Sequence, residues 1–216
     1  MKENLNRRTL LNNALKTGLA TLAGASALSA NANSVCRLTA NQPEGPFYPV
    51  NDQTDKDNDL TSINSSQNIA KGEIVILKGL VRDQYCQPIK GALVEIWQAC
   101  ETGKYNHFSD PNPAALDPHF QYWGKAITNE KGEYAFKTIK PGQYQASTNW
   151  IRPPHIHVKV HLRGHRELIT QVYFAENKRL NAKDRILQSL SDLERSEAIC
   201  TLSLIHISEP TRLGMI

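Results

Sequence analysis

Apolar and polar residues alternate with a period of two through the middle of the chain, and turn residues cut the alternation into short segments. The stretches 73–81, 92–97, 124–128, 133–139, 142–147, 156–162 and 168–174 are rich in Val, Ile, Leu, Tyr and Phe and have strand length. Asp83-Gln84, Pro88, Lys90-Gly91, residues 129–132, Pro141-Gly142 and Arg163-Gly164 separate them. Regular short strands with such turns predict an all-β fold, a β-sandwich or barrel with long loops. Residues 181–198 change period: Ile186, Leu187, Leu190 and Leu193 share one helical face, which predicts a short C-terminal helix. Residues 33–70 are polar and irregular, and 51–67 are almost all Asn, Asp, Ser, Thr, Gln and Lys, so this region reads as a long loop or arm. No internal repeat is present.

The two ends carry different signals. Asn6-Arg7-Arg8-Thr9-Leu10-Leu11 opens a basic start, followed by a mildly apolar run from Ala14 to Ala30 and a small-x-small pattern at Ala30-Asn31-Ala32. Residues 1–32 therefore read as a cleavable export signal, too interrupted for a stable membrane span. The paired arginines in this context resemble the twin-arginine signal, whose route carries folded proteins, and predict a periplasmic location. The folded domain is expected over 71–200. Residues 201–216 continue no pattern seen upstream and read as an unrelated, artefactual tail, so His206 is given no role.

Composition fits a soluble globular domain, with 40% hydrophobic and 7% aromatic residues in a chain of 216. The formal charge of +4 is concentrated in the leader, where Lys2, Arg7, Arg8 and Lys16 stand against Glu3 alone. The remainder is near neutral. It lacks the basic stripe that a nucleic-acid binder needs, and the cluster His161, Arg163, His165, Arg166 reads as a solvated strand end. An exported protein can form disulfides, and Cys86 with Cys100 is the preferred pair, Cys36 being the third candidate.

The sharpest local signal is Arg152-Pro153-Pro154-His155-Ile156-His157-Val158-Lys159-Val160. On a strand, Ile156, Val158 and Val160 face one way, into the core, and His155 and His157 face the other, side by side. Two such imidazoles can grip one metal, or they can be surface histidines on a half-exposed strand. No carboxylate follows until Glu167, so the pattern lacks the nearby acid of a two-histidine-one-carboxylate iron site or a cupin-like enzyme. Tyrosines precede the pair in Gly103-Lys104-Tyr105 and in Pro141-Gly142-Gln143-Tyr144.

These elements together resemble the intradiol ring-cleavage dioxygenases, the group of protocatechuate 3,4-dioxygenase and catechol 1,2-dioxygenase. The resemblance runs through Gln42-Pro43-Glu44-Gly45-Pro46-Phe47-Tyr48, Gly91 to Trp97, Gly103-Lys104-Tyr105, Thr128 to Phe136, Pro141 to Tyr144, Arg152 to His157 and Leu168 to Phe174. It implies a non-haem Fe(III) cofactor held by Tyr105, Tyr144, His155 and His157. It also implies an active-site arginine at Arg152 and glutamine at Gln171, with Tyr144 doubling as the base that leaves the metal. The implied substrates are a catechol-type aromatic and O2, and the implied assembly is an oligomer of like or unlike chains. The family's apolar closing strand has no counterpart in the tail.

The implied ligand set is chemically coherent. Ferric ion favours anionic oxygen donors and lowers a bound phenol's pKa far below about 10. Two tyrosinates and a hydroxide cancel its charge, and neutral imidazoles add none, so the buried site avoids an isolated charge. Two other classes remain: a cupin-like metalloenzyme and a transthyretin-like binding module. The latter accounts for 83–97 but requires none of the tyrosine, histidine and arginine set. The candidate pocket rim is the long arm, Phe47 and Tyr48, His107 to Tyr122, and Asn149 to Ile151, with Phe120, Tyr122 and Trp150 either lining it or packing.

Overall fold

A computed structural model describes residues 36–202 and 211–214. The leader, residues 33–35 and His206 lie outside the described residues. The alternation of the central region becomes two sheets and a hairpin. Strands β1 (Ile74–Arg82) and β4 (Glu133–Ile139) pair antiparallel. The larger sheet has the order β3-β2-β7-β8-β9, built from β2 (Leu93–Trp97), β3 (Trp123–Ile127), β7 (His155–His161), β8 (Leu168–Phe174) and β9 (Ile199–Cys200). The hairpin joins β5 (Tyr144–Ser147) to β6 (Trp150–Arg152). Thr211–Gly214, within the stretch read as a tail, form β10 and run parallel to β1.

Every second residue of β1 is buried, and Leu77 and Val81 meet Val94, Ile96, Ile156, Val158, Val160 and Phe174 of the larger sheet in one core. The sandwich expected from the alternation is thus present, and fully burying each such side chain contributes roughly 1.5–3 kcal/mol. The polar stretch before β1 is not a free arm. Its backbone bonds Lys125 of β3 through Lys56 and Asp57, and Lys137 of β4 through Asn58 and Leu60. It therefore covers an edge of each sheet that would otherwise offer unpaired N–H and C=O groups.

One expectation is refined and one is corrected. The expected C-terminal helical segment is present, divided into three short helices, α1 (Lys178–Asn181), α2 (Arg185–Gln188) and α3 (Asp192–Ala198). Asp184 caps α2, and Ser191 with Glu194 forms a capping box on α3, so side chains that compete with a continuous helix restart it instead. The disulfide joins Cys36 to Cys86, not Cys86 to Cys100. Strand β2 alone carries the chain roughly 16 Å away from the turn that holds Cys86, and Cys100 is a buried free thiol beyond its far end. Cys36 instead runs along that turn, its N–H donating to the Gln84 carbonyl at 3.0 Å. Among the described residues no helix is long and apolar enough to cross a membrane.

The bridge closes a loop with a sequence separation of 50, for which chain entropy gives up to about 4 kcal/mol of stabilisation. Cys36→Ser is expected to lower the urea midpoint as much as reductant does in the wild type, while Cys100→Ser leaves the reductant effect in place. Thiol titration of the unreduced, denatured protein should find Cys100 and Cys200 reactive and Cys36 and Cys86 silent.

Candidate metal centre

Sheet register assembles the site. Strand β7 lies between β2 and β8, pairing His157 with Trp97 on one side and with Gln171 on the other, and His155 with Tyr173. In the hairpin, Tyr144 pairs with Arg152. As the alternation predicts, Ile156, Val158 and Val160 enter the main core, and the histidines face the opposite way. That second face is not solvent: both histidines are only 2% exposed. An aromatic group of Phe47, Trp97, Tyr105, Trp123 and Tyr144 forms there, which excludes the surface-histidine alternative.

The two tyrosines arrive on separate loops tied to one point. The carbonyl of Cys100 accepts N–H bonds from Gly103 and from Gly142, each at 2.9 Å. The loops touch so closely that a Cβ on Gly103, where φ is +81°, would sit 2.2 Å from the Gln143 carbonyl oxygen. A Cβ on Gly142 would sit 2.2 Å from that of Glu101. The buried carboxylate of Asp110 then fixes the Tyr105 backbone by accepting its N–H at 2.6 Å.

The four side chains converge. Tyr105 Oη lies 3.4 Å from His155 Nε2. Ring centroids are 4.9 Å apart for His155 and His157, 5.5 Å for Tyr105 and Tyr144, 5.8 Å for Tyr144 and His155, and 6.3 Å for Tyr105 and His157. His155 Nδ1 lies 2.7 Å from the Pro153 carbonyl and donates to it, leaving Nε2 turned to the site. His157 stacks on Trp97 at 4.7 Å, and its Nδ1 is buried with no hydrogen-bond partner. Phe47 packs on both phenols, 4.8 Å from Tyr105 and 5.9 Å from Tyr144.

Burial, then the Arg152 charge, holds both imidazoles well below their ordinary pKa and so neutral. Burial pushes the Tyr105 phenol well above its usual value, helped by Tyr144. It raises Tyr144 as well, opposed by Arg152. Such a set, two neutral imidazoles and two phenols with nothing charged between them, fits a hard cation that displaces the phenol protons. Among the described residues, no three His, Cys, Asp or Glu converge as a metal site. The imidazoles therefore have phenols beside them and not a carboxylate, unlike a cupin-like centre.

Arg152 and Gln171 also reach the site, in company the sequence did not announce. Arg152 is 3% exposed and forms a buried ion pair with Asp184, Nε to Oδ2 at 2.7 Å. Its Nη2 donates to Gln171 Oε1 at 2.7 Å and to Tyr173 Oη at 2.9 Å. Gln171 Nε2 donates to the Pro43 carbonyl at 2.9 Å, and Gln42 bonds Thr170, so the segment before β1 is stitched to β8. Asp184 and Tyr173 were missed. Asp184 had only the signal of a helix cap, and Tyr173 only its place two residues after Gln171. Of the rim candidates, Phe47 and Tyr48 pack at the site, Phe120 and Tyr122 belong to the main core, and Trp150 stands 5.4 Å from Arg152 and 5.2 Å from Arg185.

Comparisons with known proteins point to one family. A family model described as Dioxygenase matches residues 43–210. The chain is 37% identical over 173 residues to the protocatechuate 3,4-dioxygenase beta chain of Burkholderia cepacia, covering 78% of this chain and 73% of that one. It is 35% identical over 117 residues to the catechol 1,2-dioxygenase of Acinetobacter baylyi, covering 48% of this chain and 37% of that one, so it spans well under half of that relative. Among solved structures, the dioxygenase domain of a carbohydrate-binding fusion from Streptomyces sp. SirexAA-E superposes with a TM-score of 0.55 at 27% identity, over 76% of this chain and 87% of that one. The 3-chlorocatechol 1,2-dioxygenase of Rhodococcus opacus gives 0.59 at 25% identity, over 76% and 64%. The fold is thus that of ring-cleavage dioxygenases. The chain belongs to the intradiol dioxygenase family.

The neutral imidazoles have a consequence for the metal-free protein. An unfolded chain protonates them near pH 6.5, while the folded one resists, so stability is full above that pH and falls as pH drops below it. Each histidine contributes about 1.4 kcal/mol per pH unit in that window. Urea unfolding between pH 7 and 5.5 should show a steeper loss in wild type than in His157→Gln, and equal slopes would contradict the burial argument.

Proposed function

We propose that this chain is a non-haem Fe(III) intradiol dioxygenase that opens a catechol-type ring between its hydroxyl-bearing carbons with O2, giving a muconate-type diacid. The observation that carries the reading is the convergence of two phenols and two neutral imidazoles in a buried aromatic pocket. Tyr105, Tyr144, His155 and His157 would hold the ion. When bound, ferric iron supplies the Lewis acidity and electron-accepting capacity that activate a catechol toward O2.

The protein's own groups account for the rest. Two neutral histidines leave the charge of the site to its phenols, so a catechol's protons need acceptors within the pocket. Tyr144 is the acceptor we assign. It faces Arg152 across the hairpin, and the Arg152 charge opposes the upward push of burial on its phenol, so this oxygen is the one whose proton the site can tune. Tyr105 is pushed up by burial and by Tyr144 and lies against His155, which suits a ligand that stays in place. The Arg152 guanidinium favours an anionic ring over a neutral one. Gln171 has its carbonyl committed to Arg152 and its amide to Pro43, so it acts by steadying the arginine. Trp97, stacked on His157, and Phe47, packed against Tyr105, exclude water from the pocket.

The names of the relatives, protocatechuate and catechol dioxygenases, support a catechol-type substrate. The beta-chain and alpha-chain names support an assembly of more than one chain. Export to the periplasm by the twin-arginine route is proposed from the leader and is supported by the Cys36–Cys86 disulfide, which an oxidising compartment maintains. Cell fractionation should find the wild type in the periplasm and Arg7→Lys/Arg8→Lys in the cytoplasm; equal periplasmic yields would remove the twin-arginine claim.

The enzymatic test uses iron-loaded protein. It should be coloured by tyrosinate-to-iron charge transfer, and Tyr144→Phe should shift or weaken the band and cut turnover by about 10²-fold or more. Oxygen uptake with a panel of catechols should yield one diacid per O2. A colourless protein that retains zinc in preference to iron and consumes no oxygen with any catechol would favour the cupin-like or binding-module alternatives.

A further inference from the structure

We propose that Asp184 is a positioning residue that holds the Arg152 guanidinium in the orientation the substrate meets. This rests on the intradiol reading above. Asp184 lies outside every segment that carries the family resemblance, on the turn between α1 and α2, yet it is 0% exposed and its nearest cation is Arg152. The contact is two-pronged: Arg152 Nε to Oδ2 at 2.7 Å, and Nη2 to Oδ1 at 3.5 Å. Nη2 is further committed to Gln171 and Tyr173. One edge of the guanidinium is thereby held by Asp184, Gln171 and Tyr173, and Arg152 pairs with Tyr144 across the hairpin, where its charge opposes the effect of burial on that phenol.

Asp184 is itself rigidly placed. Its Oδ1 accepts the Leu187 N–H at 2.8 Å and a longer bond from Tyr173 Oη at 3.4 Å, and Leu187 is fully buried. The geometry has an electrostatic consequence. A buried guanidinium without a counter-charge would be driven toward water or would repel an incoming cation, since both imidazoles beside it are neutral. Paired with Asp184, it becomes a fixed dipole whose positive end faces the phenols and any aromatic anion there.

Capping α2 is the rival role for Asp184, and Asp184→Asn separates the two because Asn caps a helix as well as Asp does. The variant keeps the cap and the shape and removes the charge. In iron-loaded protein, Asp184→Asn should lower kcat about 30-fold, with KM changed much less. In an Arg152→Gln background the same substitution should cost less than about 3-fold, because the group it acts through is gone. The metal-free protein gives an independent readout. Asp184→Asn should lower the urea midpoint of the wild type, and should leave unchanged or raise that of Arg152→Gln, where Asp184 is a buried carboxylate without its cation.

Equal losses of kcat in both backgrounds, or no loss in the first, would overturn the positioning role while leaving the functional reading intact. Should Asp184→Asn fail to fold, the double variant decides. A folded double variant supports the pairing, and an unfolded one beside a folded Arg152→Gln shows that the fold itself needs Asp184 and overturns the proposal. Wild-type protein inactive on every catechol would remove the functional reading and this role with it.

Discussion

The site depends on a shared hydrogen-bond acceptor. Two loops that are some forty residues apart in sequence both donate to the Cys100 carbonyl, one through Gly103 and one through Gly142. Tyr105 follows the first glycine by two residues, and Tyr144 follows the second by two. Nothing larger than hydrogen fits at either position, because the facing atoms are backbone carbonyl groups that cannot move aside. This one close approach sets the two phenols 5.5 Å apart, centroid to centroid, above the histidines of β7. The Gly-Lys-Tyr and Pro-Gly-Gln-Tyr motifs are therefore as much about backbone contact as about the tyrosines.

The opposite wall is set by a strand that is buried on both faces. Strand β7 gives Ile156, Val158 and Val160 to the main core and His155 and His157 to the pocket. Without a metal, the pocket stays electrically quiet. Its imidazoles are neutral, its phenols hold their protons, and Arg152 is balanced by Asp184. Charge enters the proposed site only with the ion and the substrate, which is where a buried pocket can use it without bearing an isolated charge at rest.

Much of this was legible from sequence, and the reasons differ by residue. Period-two alternation located the core strands because burial of one sheet face enforces it. The His-x-His face was readable for the same reason. The tyrosine, arginine and glutamine positions were not derivable from period or spacing and came through family resemblance alone. Asp184 escaped because its partner is 32 residues distant and its local context reads as a helix cap. Cys36 escaped because the polar segment that carries it shows no period, yet it returns along the Cys86 turn. The single C-terminal helix was read from Ile186, Leu187, Leu190 and Leu193, while the capping box at Ser191 and Glu194, visible in the same residues, marked a restart.

Tyr105, Tyr144, His155 and His157 are proposed to bind one ferric ion together. Anomalous diffraction from crystals of the iron-loaded protein, collected on both sides of the iron edge, addresses it most directly. The expected result is a single iron peak bonded to both phenol oxygens and to one nitrogen of each imidazole. A peak elsewhere, or one bonded to carboxylates with the two phenols still protonated and apart from the metal, would contradict it.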